Sequence, residues 1–356
     1  MPVTDPKALI ENRVEAIRKY HADAGIERAE LDVSGGVDSA VMLGLLAQAL
    51  GPDKITAVYQ GINSSPESLE RAREVAAVFR VALIEIDLTD IFDRLTDAMK
   101  ASIIEASLTE GVWDRIRPDG GDPTVLGSIR SCLRAPIGRG FNRMMGGGIR
   151  HGTGNECEDR WTRFYQKGGD GEVDCNAIAM LSKGEVYQLA LALGVPRSII
   201  TARPTPDLWG TGDAHSDEDE YAAHFGFAAG DFGQTFYGYI DVETGEYTKV
   251  GLIERVSRYL ETTPGSWLFS DESKQIGDVI GACLNTAHTS PPFNGVDSSI
   301  IPKLLAAARR IERRTRHKHN PACPSLGDRG NLVKAGIITN TLPATGEAAD
   351  GKVKNS

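Results

Sequence analysis

The chain has 356 residues, which is long enough for one large α/β domain, or two smaller ones, with a sizeable hydrophobic core. Its composition is that of an ordinary soluble protein, with 41% hydrophobic and 25% charged residues. Lysine and arginine total 39 against 49 aspartate and glutamate residues, so the formal net charge is −10. This balance argues against bulk binding of nucleic acid or of anionic membranes, which require positive charge.

The sequence carries no signal for export or for membrane insertion. No apolar run approaches the roughly 18–20 residues that span a bilayer, and residues 1–11 lack the apolar segment of a secretory signal. The five cysteines are odd in number and include no C-x-x-C pair, which argues against a disulfide framework and against a structural zinc site. We therefore expect a cytoplasmic protein.

Strand and helix alternate three times in the N-terminal part of the chain. The apolar spacing predicts helices over 6–24, 40–50, 66–79 and 88–106, and strands over 28–33, 55–59 and 81–86. Ser65 is a suitable cap for the third helix, and Pro66 suits its first position. Short connections between alternating strands and helices are typical of a parallel sheet with packed helices. We therefore predict an α/β fold with a Rossmann-like parallel sheet flanked by helices.

The remainder of the chain is less regular. Glycine, proline and aspartate over 110–127 predict a mobile loop, and residues 182–193 predict a helix that ends at Gly194. Residues 239–249 predict a hairpin, and residues 298–316 predict a closing helix.

These elements predict one main domain with an insertion. The nucleotide-binding domain would cover 1–209, and an inserted α+β block of unknown role would cover 210–294. Residues 295–325 would close the same domain as a helix and lid segment. The small, polar residues over 340–356 predict a disordered tail.

A glycine-rich loop, Ser34 to Ser39, lies between the first predicted strand and the next helix. Gly35 and Gly36 allow backbone N–H groups to approach an anion, and the helix N-terminus adds donors and a favourable dipole. The hydroxyls of Ser34 and Ser39 could also donate to phosphate oxygens. Asp38 would be repelled by phosphate, so its presence indicates a bridging Mg²⁺. The alternative is an ordinary tight turn between a strand and a helix.

This S-G-G-x-D-S pattern resembles the PP-loop of the ATP pyrophosphatases, the adenine nucleotide alpha-hydrolase-like enzymes. They cleave ATP between the α- and β-phosphates and adenylate an acceptor oxygen. Five further segments occur in the order found in the NAD synthetase family: G-T-G-N-E-C-E (152–158), K-G-G-D-G-E-V-D (167–174), L-S-K (181–183), R-P-T-P-D-L (203–208) and H-K-H-N-P (317–321). Such a series is far more specific than any single segment.

The resemblance implies an amide-forming ligase that uses ATP and Mg²⁺. The substrate carboxylate attacks the α-phosphate, pyrophosphate leaves, and ammonia opens the acyl adenylate. Asp38 and Glu158 are the expected metal ligands, and Lys183 would pair with the leaving pyrophosphate. Thr153 would contact phosphate. Asp170 would orient ammonia or take its proton.

The acyl-substrate pocket departs from the family pattern. NAD synthetases carry N-x-x-A-R-x-R, and the corresponding residues here run from Ser128 to Arg134. Ser128 replaces the asparagine and Cys132 replaces the first arginine, whereas Arg134 is kept. The expected substrate-binding residues are Ser128, Cys132, Arg134, Asp174, His317 and Lys318. The default acid is deamido-NAD, and the alternative is a different carboxylic acid in a biosynthetic pathway.

Less specific interpretations stay open for several of these residues. Lys183 could be a solvated lysine, Glu158 with Asp159 an exposed acidic pair, and Asp170 an ordinary turn residue. Cys157 is better explained as a small buried thiol than as a nucleophile. A non-catalytic nucleotide-binding protein is the remaining rival for the whole chain.

The expected nitrogen source is ammonia. Only 33 residues precede Ser34, too few for a glutaminase domain, so we expect free ammonia or ammonia from a separate glutaminase. The family resemblance also implies a homodimer.

Overall fold

The structure is a computed structural model. It describes residues 3–108, 111–112, 115, 123–203, 205, 239–242, 244, 246–249, 251–252, 255, 299–304, 306–307, 315, 318, 327 and 329–339. Most of the predicted insertion (210–294) and of the predicted closing segment (295–325), and the whole of the predicted tail (340–356), lie outside the described residues.

Four parallel strands form the sheet that carries the candidate site. They are β1 (Ala29–Asp32), β2 (Ile55–Gly61), β3 (Leu83–Asp87) and β4 (Ile149–Arg150). The strand order is β3-β2-β1-β4, and β1 pairs in parallel with both of its neighbours. The chain therefore leaves β1 in one direction and later returns to its other side. In α/β proteins, ligands bind at the carboxyl ends of the strands where the order reverses in this way.

Helices follow the strands much as the apolar spacing predicts. They are α1 (Pro6–Ala24), α2 (Val37–Leu50), α3 (Pro66–Val78), α4 (Thr89–Glu105), α5 (Pro123–Met144), α6 (Lys183–Leu193), α7 (Arg197–Ile200) and α8 (Arg329–Lys334). Helices α1, α2 and α6 pack against one another, and α5 packs against β1 and β2. The predicted Rossmann-like α/β fold is confirmed. No helix in the described part of the chain is long and apolar enough to cross a membrane.

Three local features differ from, or sharpen, the sequence predictions. Helix α2 begins at Val37 rather than at residue 40, because Gly36 is its N-cap, and this places Asp38 in the first turn. Helix α5 begins at Pro123, so the end of the predicted mobile loop is helical. The predicted hairpin is confirmed by β5 (Tyr239–Ile240) and β6 (Tyr247–Lys249), which pair antiparallel.

Candidate active site

The glycine-rich loop joins β1 to α2 and is closed by its own serines. The Ser39 hydroxyl donates to the Gly36 carbonyl (3.0 Å), and the backbone N–H of Ser34 donates to the Ser39 oxygen (3.2 Å). The Gly36 N–H donates to the Ser34 oxygen (3.2 Å), and the two hydroxyl oxygens lie 3.1 Å apart. This arrangement leaves the N-terminus of α2 at the carboxyl end of β1, where it suits an anion.

Residues of helix α3 contact the glycine-rich loop and hold it in place. Gly35 has a positive φ of 82°, and a Cβ at that position would lie 2.2 Å from the carbonyl oxygen of Ser68. Ser68 is itself held by the hydroxyl of Tyr59 (2.7 Å). The Nε of Arg71 donates to the Gly35 carbonyl (3.1 Å). Only glycine therefore fits at position 35, and Arg71 is a loop contact that the sequence pattern did not single out.

Lys183 brings the two expected metal ligands together. Its ammonium nitrogen lies 2.6 Å from Asp38 Oδ2 and 3.0 Å from Glu158 Oε1. The Lys183 side chain is only 3% exposed, and that of Glu158 is 19% exposed. The alternative interpretations, a solvated Lys183 and an exposed Glu158, therefore do not hold.

Asn155 is a site residue that belongs to the G-T-G-N-E-C-E segment but was not singled out in the sequence. Its side-chain oxygen accepts from the backbone N–H groups of Cys157 (3.0 Å) and Glu158 (3.3 Å). Its Nδ2 donates to Asp38 Oδ1 (3.1 Å). The fully buried Asn155 thus caps the helical turn Glu156–Thr162 and at the same time ties this turn to α2. Cys157 is buried, as expected.

The start of α6 is fixed by a capping box. Ser182 accepts from the N–H of Glu185 (3.4 Å), and the Glu185 carboxylate accepts from the N–H of Ser182 (2.8 Å). Two otherwise unpaired backbone donors are thereby satisfied. The cap holds Lys183, the first residue of the helix, in its buried position.

Negative charge exceeds positive charge around Lys183. Burial raises the pKa of Glu158, and the nearby charge of Asp38 adds to this while Lys183 opposes it. The pKa of Asp159 is raised well above its usual range by burial and by the charges of Glu158 and Asp170. Asp38 and Glu158 are two carboxylates beside the single ammonium of Lys183, so these two residues fit a magnesium ion whose other ligands are phosphate oxygens.

A second cluster joins α5 to the turn that carries Asp170. The Ser131 hydroxyl donates to Asp170 Oδ1 (2.5 Å), and Ser128 donates to the side-chain oxygen of Gln166. Cys132 Sγ lies 4.0 Å from the Lys167 carbonyl oxygen. Burial, together with the charge of Asp170, raises the pKa of Cys132, so its thiol stays protonated near neutral pH.

The other two expected substrate residues in this region are anchored to the sheet. Arg134 Nε donates to the Gln60 carbonyl at the end of β2 (3.0 Å). Asp174 Oδ2 accepts from the backbone N–H of Arg150 in β4 (2.8 Å). Arg134 and Asp174 thus contact the ends of strands β2 and β4. These two hydrogen bonds do not join them to Ser131 or Asp170.

Lys318 and Thr153 are placed, whereas His317 lies outside the described residues. The Lys318 ammonium donates to the carbonyls of Arg163 (3.2 Å) and Tyr165 (2.8 Å), and burial lowers its pKa. Thr153, which follows β4 in the chain, is partly buried.

Ser131 was not predicted from the sequence, since nothing in the sequence pattern distinguishes it from its neighbours.

Comparisons with known proteins show which family the sequence matches and which solved structures share its fold. A family model described as NAD synthase matches residues 9–226. An NH(3)-dependent NAD(+) synthetase from Halobacterium salinarum is 35% identical over 195 residues, which are 54% of this chain and 65% of the relative. One from Alkaliphilus oremlandii is 28% identical over 264 residues, which are 72% of this chain and 95% of the relative. The chain thus spans less than two thirds of the length of the Halobacterium relative.

Solved structures share the fold at low sequence identity. An NMN synthetase from Francisella tularensis has a TM-score of 0.60 at 17% identity, covering 90% of this chain and 98% of its own. An NH3-dependent NAD synthetase from Campylobacter jejuni has a TM-score of 0.52 at 17% identity, covering 89% and 98%. These likenesses concern the fold alone. Because the family model covers more than half of the sequence, the chain belongs to the NAD synthase family.

Proposed function

We propose that this protein is an ATP- and Mg²⁺-dependent amide-forming ligase. It adenylates a substrate carboxylate with release of pyrophosphate, and ammonia then displaces AMP to give the amide. The observation that carries the proposal is the position of Lys183, whose ammonium lies between Glu158 and Asp38, a residue of the glycine-rich loop. Family membership and the ammonia-dependent relatives support it.

The β- and γ-phosphates of ATP would bind at the glycine-rich loop. Backbone N–H groups of the loop and the N-terminus of α2 offer donors, and Lys183 offers a buried positive charge. Asp38 and Glu158 would hold Mg²⁺, which would neutralise charge that develops on the leaving pyrophosphate. Ser34, Gly35, Gly36, Ser39 and Thr153 are the remaining proposed ATP contacts.

The acyl substrate would bind beside α5, close to Asp170. Ser128 and Cys132 lie within contact distance of the turn 166–171, and Arg134 lies at the end of β2. Asp170 would orient ammonia or accept its proton. Asp174, His317 and Lys318 are proposed as further contacts of the acyl substrate.

Deamido-NAD is the proposed substrate, and another carboxylic acid is the second candidate. The second candidate is favoured by Cys132, a protonated thiol where the family pattern has an arginine fork for anionic groups. The acid precursor of NMN is one such candidate, because an NMN synthetase has the same fold. Ammonia, free or from a separate glutaminase, is the proposed nitrogen source, and a homodimer is the proposed assembly.

Product analysis with a panel of acids tests the proposal. The protein is incubated with ATP, Mg²⁺ and ammonium, together with deamido-NAD or the acid precursor of NMN. We expect AMP, pyrophosphate and one amide in equal amounts, and no pyrophosphate when Asp38 is changed to Ala. ATP binding without pyrophosphate release from any acid would favour the non-catalytic alternative and contradict the proposal.

A further inference from the structure

We propose that Ser131 is a positioning residue that holds Asp170 in place for the attack of ammonia on the acyl adenylate. The inference rests on the proposed function, and it concerns only the second half of the reaction. It starts from a pair of reciprocal hydrogen bonds between α5 and the turn 166–171, which together we call the Ser131 clamp.

The clamp uses both capacities of one hydroxyl group. Ser131 Oγ donates to Asp170 Oδ1 (2.5 Å) and accepts from the backbone N–H of Asp170 (3.0 Å). The backbone N–H of Gln166 donates to the same carboxylate oxygen (2.9 Å). The Asp170 carboxylate, although exposed, is therefore held from the helix on one side and from its own turn on the other.

Close packing supports the clamp. A Cβ on the buried Gly169 would lie 2.2 Å from Ser131 Oγ, 2.8 Å from the Ser131 carbonyl carbon and 3.0 Å from the Cys132 nitrogen. The turn thus lies directly against the backbone of α5, with no room for even a methyl group. The turn therefore cannot move closer to Ser131, and a movement away from it would lose this contact.

The same stretch of α5 carries the proposed acyl-substrate contacts. Ser128 and Cys132 lie on either side of Ser131 in the sequence, and each approaches the turn that bears Asp170. Ser131 therefore couples the proposed ammonia site to the helix that would hold the acyl group. In the family pattern N-x-x-A-R-x-R this position is alanine, so the clamp is a feature of this chain rather than of the pattern.

The affected step forms a C–N bond. The lone pair of ammonia attacks the acyl carbon, the bond from that carbon to the phosphate oxygen breaks, and AMP leaves with the electron pair. The Asp170 carboxylate accepts the proton that nitrogen loses. If Asp170 is displaced, water competes for the same carbon and returns the free acid with AMP.

The test separates adenylation from amide formation in Ser131→Ala. We expect ATP–pyrophosphate exchange with deamido-NAD close to that of the wild type, because the clamp does not touch the ATP site. Amide formation should fall about tenfold or more, which corresponds to losing a hydrogen bond to a charged group. The KM for ammonia should rise, and more AMP than amide should be produced.

Two further variants make the result specific. Ser131→Thr keeps a hydroxyl and should restore most of the amide yield per AMP. Ser102→Ala removes a matched serine hydroxyl from the exposed side of α4, where it bonds the Ala98 carbonyl, and should leave every reading unchanged.

The possible outcomes distinguish the clamp from the proposed function. A wild-type protein that exchanges no pyrophosphate with any acid contradicts the proposed function, and the clamp inference is rejected with it. If the wild type is active and Ser131→Ala still forms one amide per AMP, the clamp inference alone is overturned. Equal losses in exchange and amide formation, unrestored by Ser131→Thr, would show a merely structural role and also overturn it.

Discussion

The ammonium nitrogen of Lys183, at the start of α6, lies 2.6 Å from the carboxylate of Asp38, in the first turn of α2. The two residues are 145 positions apart in the chain, and each lies in the first turn of its helix. The buried cation is thus paired with the carboxylates of Asp38 and Glu158. A phosphate group bound at the glycine-rich loop would also contact the Lys183 ammonium. Substitution of Lys183 is therefore a sensitive test of the proposed ATP site.

Lys183→Met keeps the length of the side chain but removes its charge. We expect ATP–pyrophosphate exchange to fall by about 100-fold or more, since removing one preorganised stabiliser of developing charge typically costs this much. The control is Lys19→Met, which breaks the exposed Lys19–Asp23 pair on α1 and should leave exchange unchanged. Exchange at the wild-type rate in Lys183→Met would contradict the proposed role.

The glycine-rich loop gives a second prediction, for Gly35→Ala. The added Cβ meets the carbonyl oxygen of Ser68, and the positive φ adds about 1–2 kcal/mol of backbone cost. The loop must therefore move, and we expect a higher KM for ATP together with a lower free energy of unfolding.

Gly25→Ala is the matched control for this change. Gly25 also has a positive φ, 66°, but nothing lies within 4 Å of a Cβ at that position. This variant should lose only the backbone contribution to stability and should keep the wild-type KM for ATP. A similar KM in both variants would mean that the fit of the loop against α3 does not matter for ATP.

Much of the sheet and its helices could be predicted because the governing signals are local. Apolar spacing, caps and short connections act within a few residues, and α1 is observed with the predicted bounds, Pro6–Ala24. Helix α5 was not predicted. Its first residues fall in the predicted loop over 110–127, where glycine, proline and aspartate dominate. The apolar positions of α5 that pack against the buried cluster of Ile62, Leu88 and Phe92 repeat at helical spacing and could have revealed it: Leu126, Ile129, Leu133 and Ile137.

The site was only partly predictable, because its contacts join distant segments. Resemblance selected Asp38, Glu158 and Lys183, but no local pattern states that the lysine lies between the two carboxylates. The contact of Ser131 with Asp170 spans 39 positions and depends on how closely α5 approaches the turn. Such distances follow from packing of the whole domain, which periodicity does not encode.

A buried histidine pair predicts how stability depends on pH. His21 Nδ1 lies 2.8 Å from the Ile26 carbonyl oxygen, which assigns its proton there, and His21 Nε2 then accepts from His151 Nε2 at 2.9 Å. Burial lowers the pKa of both rings, that of His151 to about 3. Cys175 Sγ, 3.4 Å from His151 Nδ1, faces the same ring. Both rings are therefore neutral in the folded protein near pH 7.

The sign of the pH effect follows from these lowered values. In the unfolded chain, histidine has a pKa of about 6.5, so the unfolded state binds more protons below that pH. The stabilisation is complete above about pH 6.5 and is lost as the pH falls toward about 3. Urea unfolding between pH 8 and pH 5 should show the loss. His151→Leu should flatten this dependence, even if it lowers stability at pH 8, and an unchanged slope would contradict the assignment.

The buried pair of Arg329 and Glu185 links α8 to the start of α6 and gives the last prediction. The two side chains form parallel bonds of 2.7 and 2.8 Å and are almost completely excluded from solvent. Arg329→Met leaves the Glu185 charge without this partner, and Glu185 also closes the capping box next to Lys183. We expect the free energy of unfolding to fall by about 3–5 kcal/mol, as for other broken buried pairs.

Two controls measure what the burial of this pair contributes. Arg73→Met breaks an exposed arginine–glutamate pair with Glu85 (2.6 Å) and should cost about 0–1 kcal/mol. The double variant Glu185→Gln with Arg329→Met removes both charges, so it should lose less stability than the sum of the single changes. Because the cap positions Lys183, we also expect Arg329→Met to raise the KM for ATP, whereas Arg73→Met should not. Equal costs for the two arginine variants would show that the buried pair does not hold α6 in place.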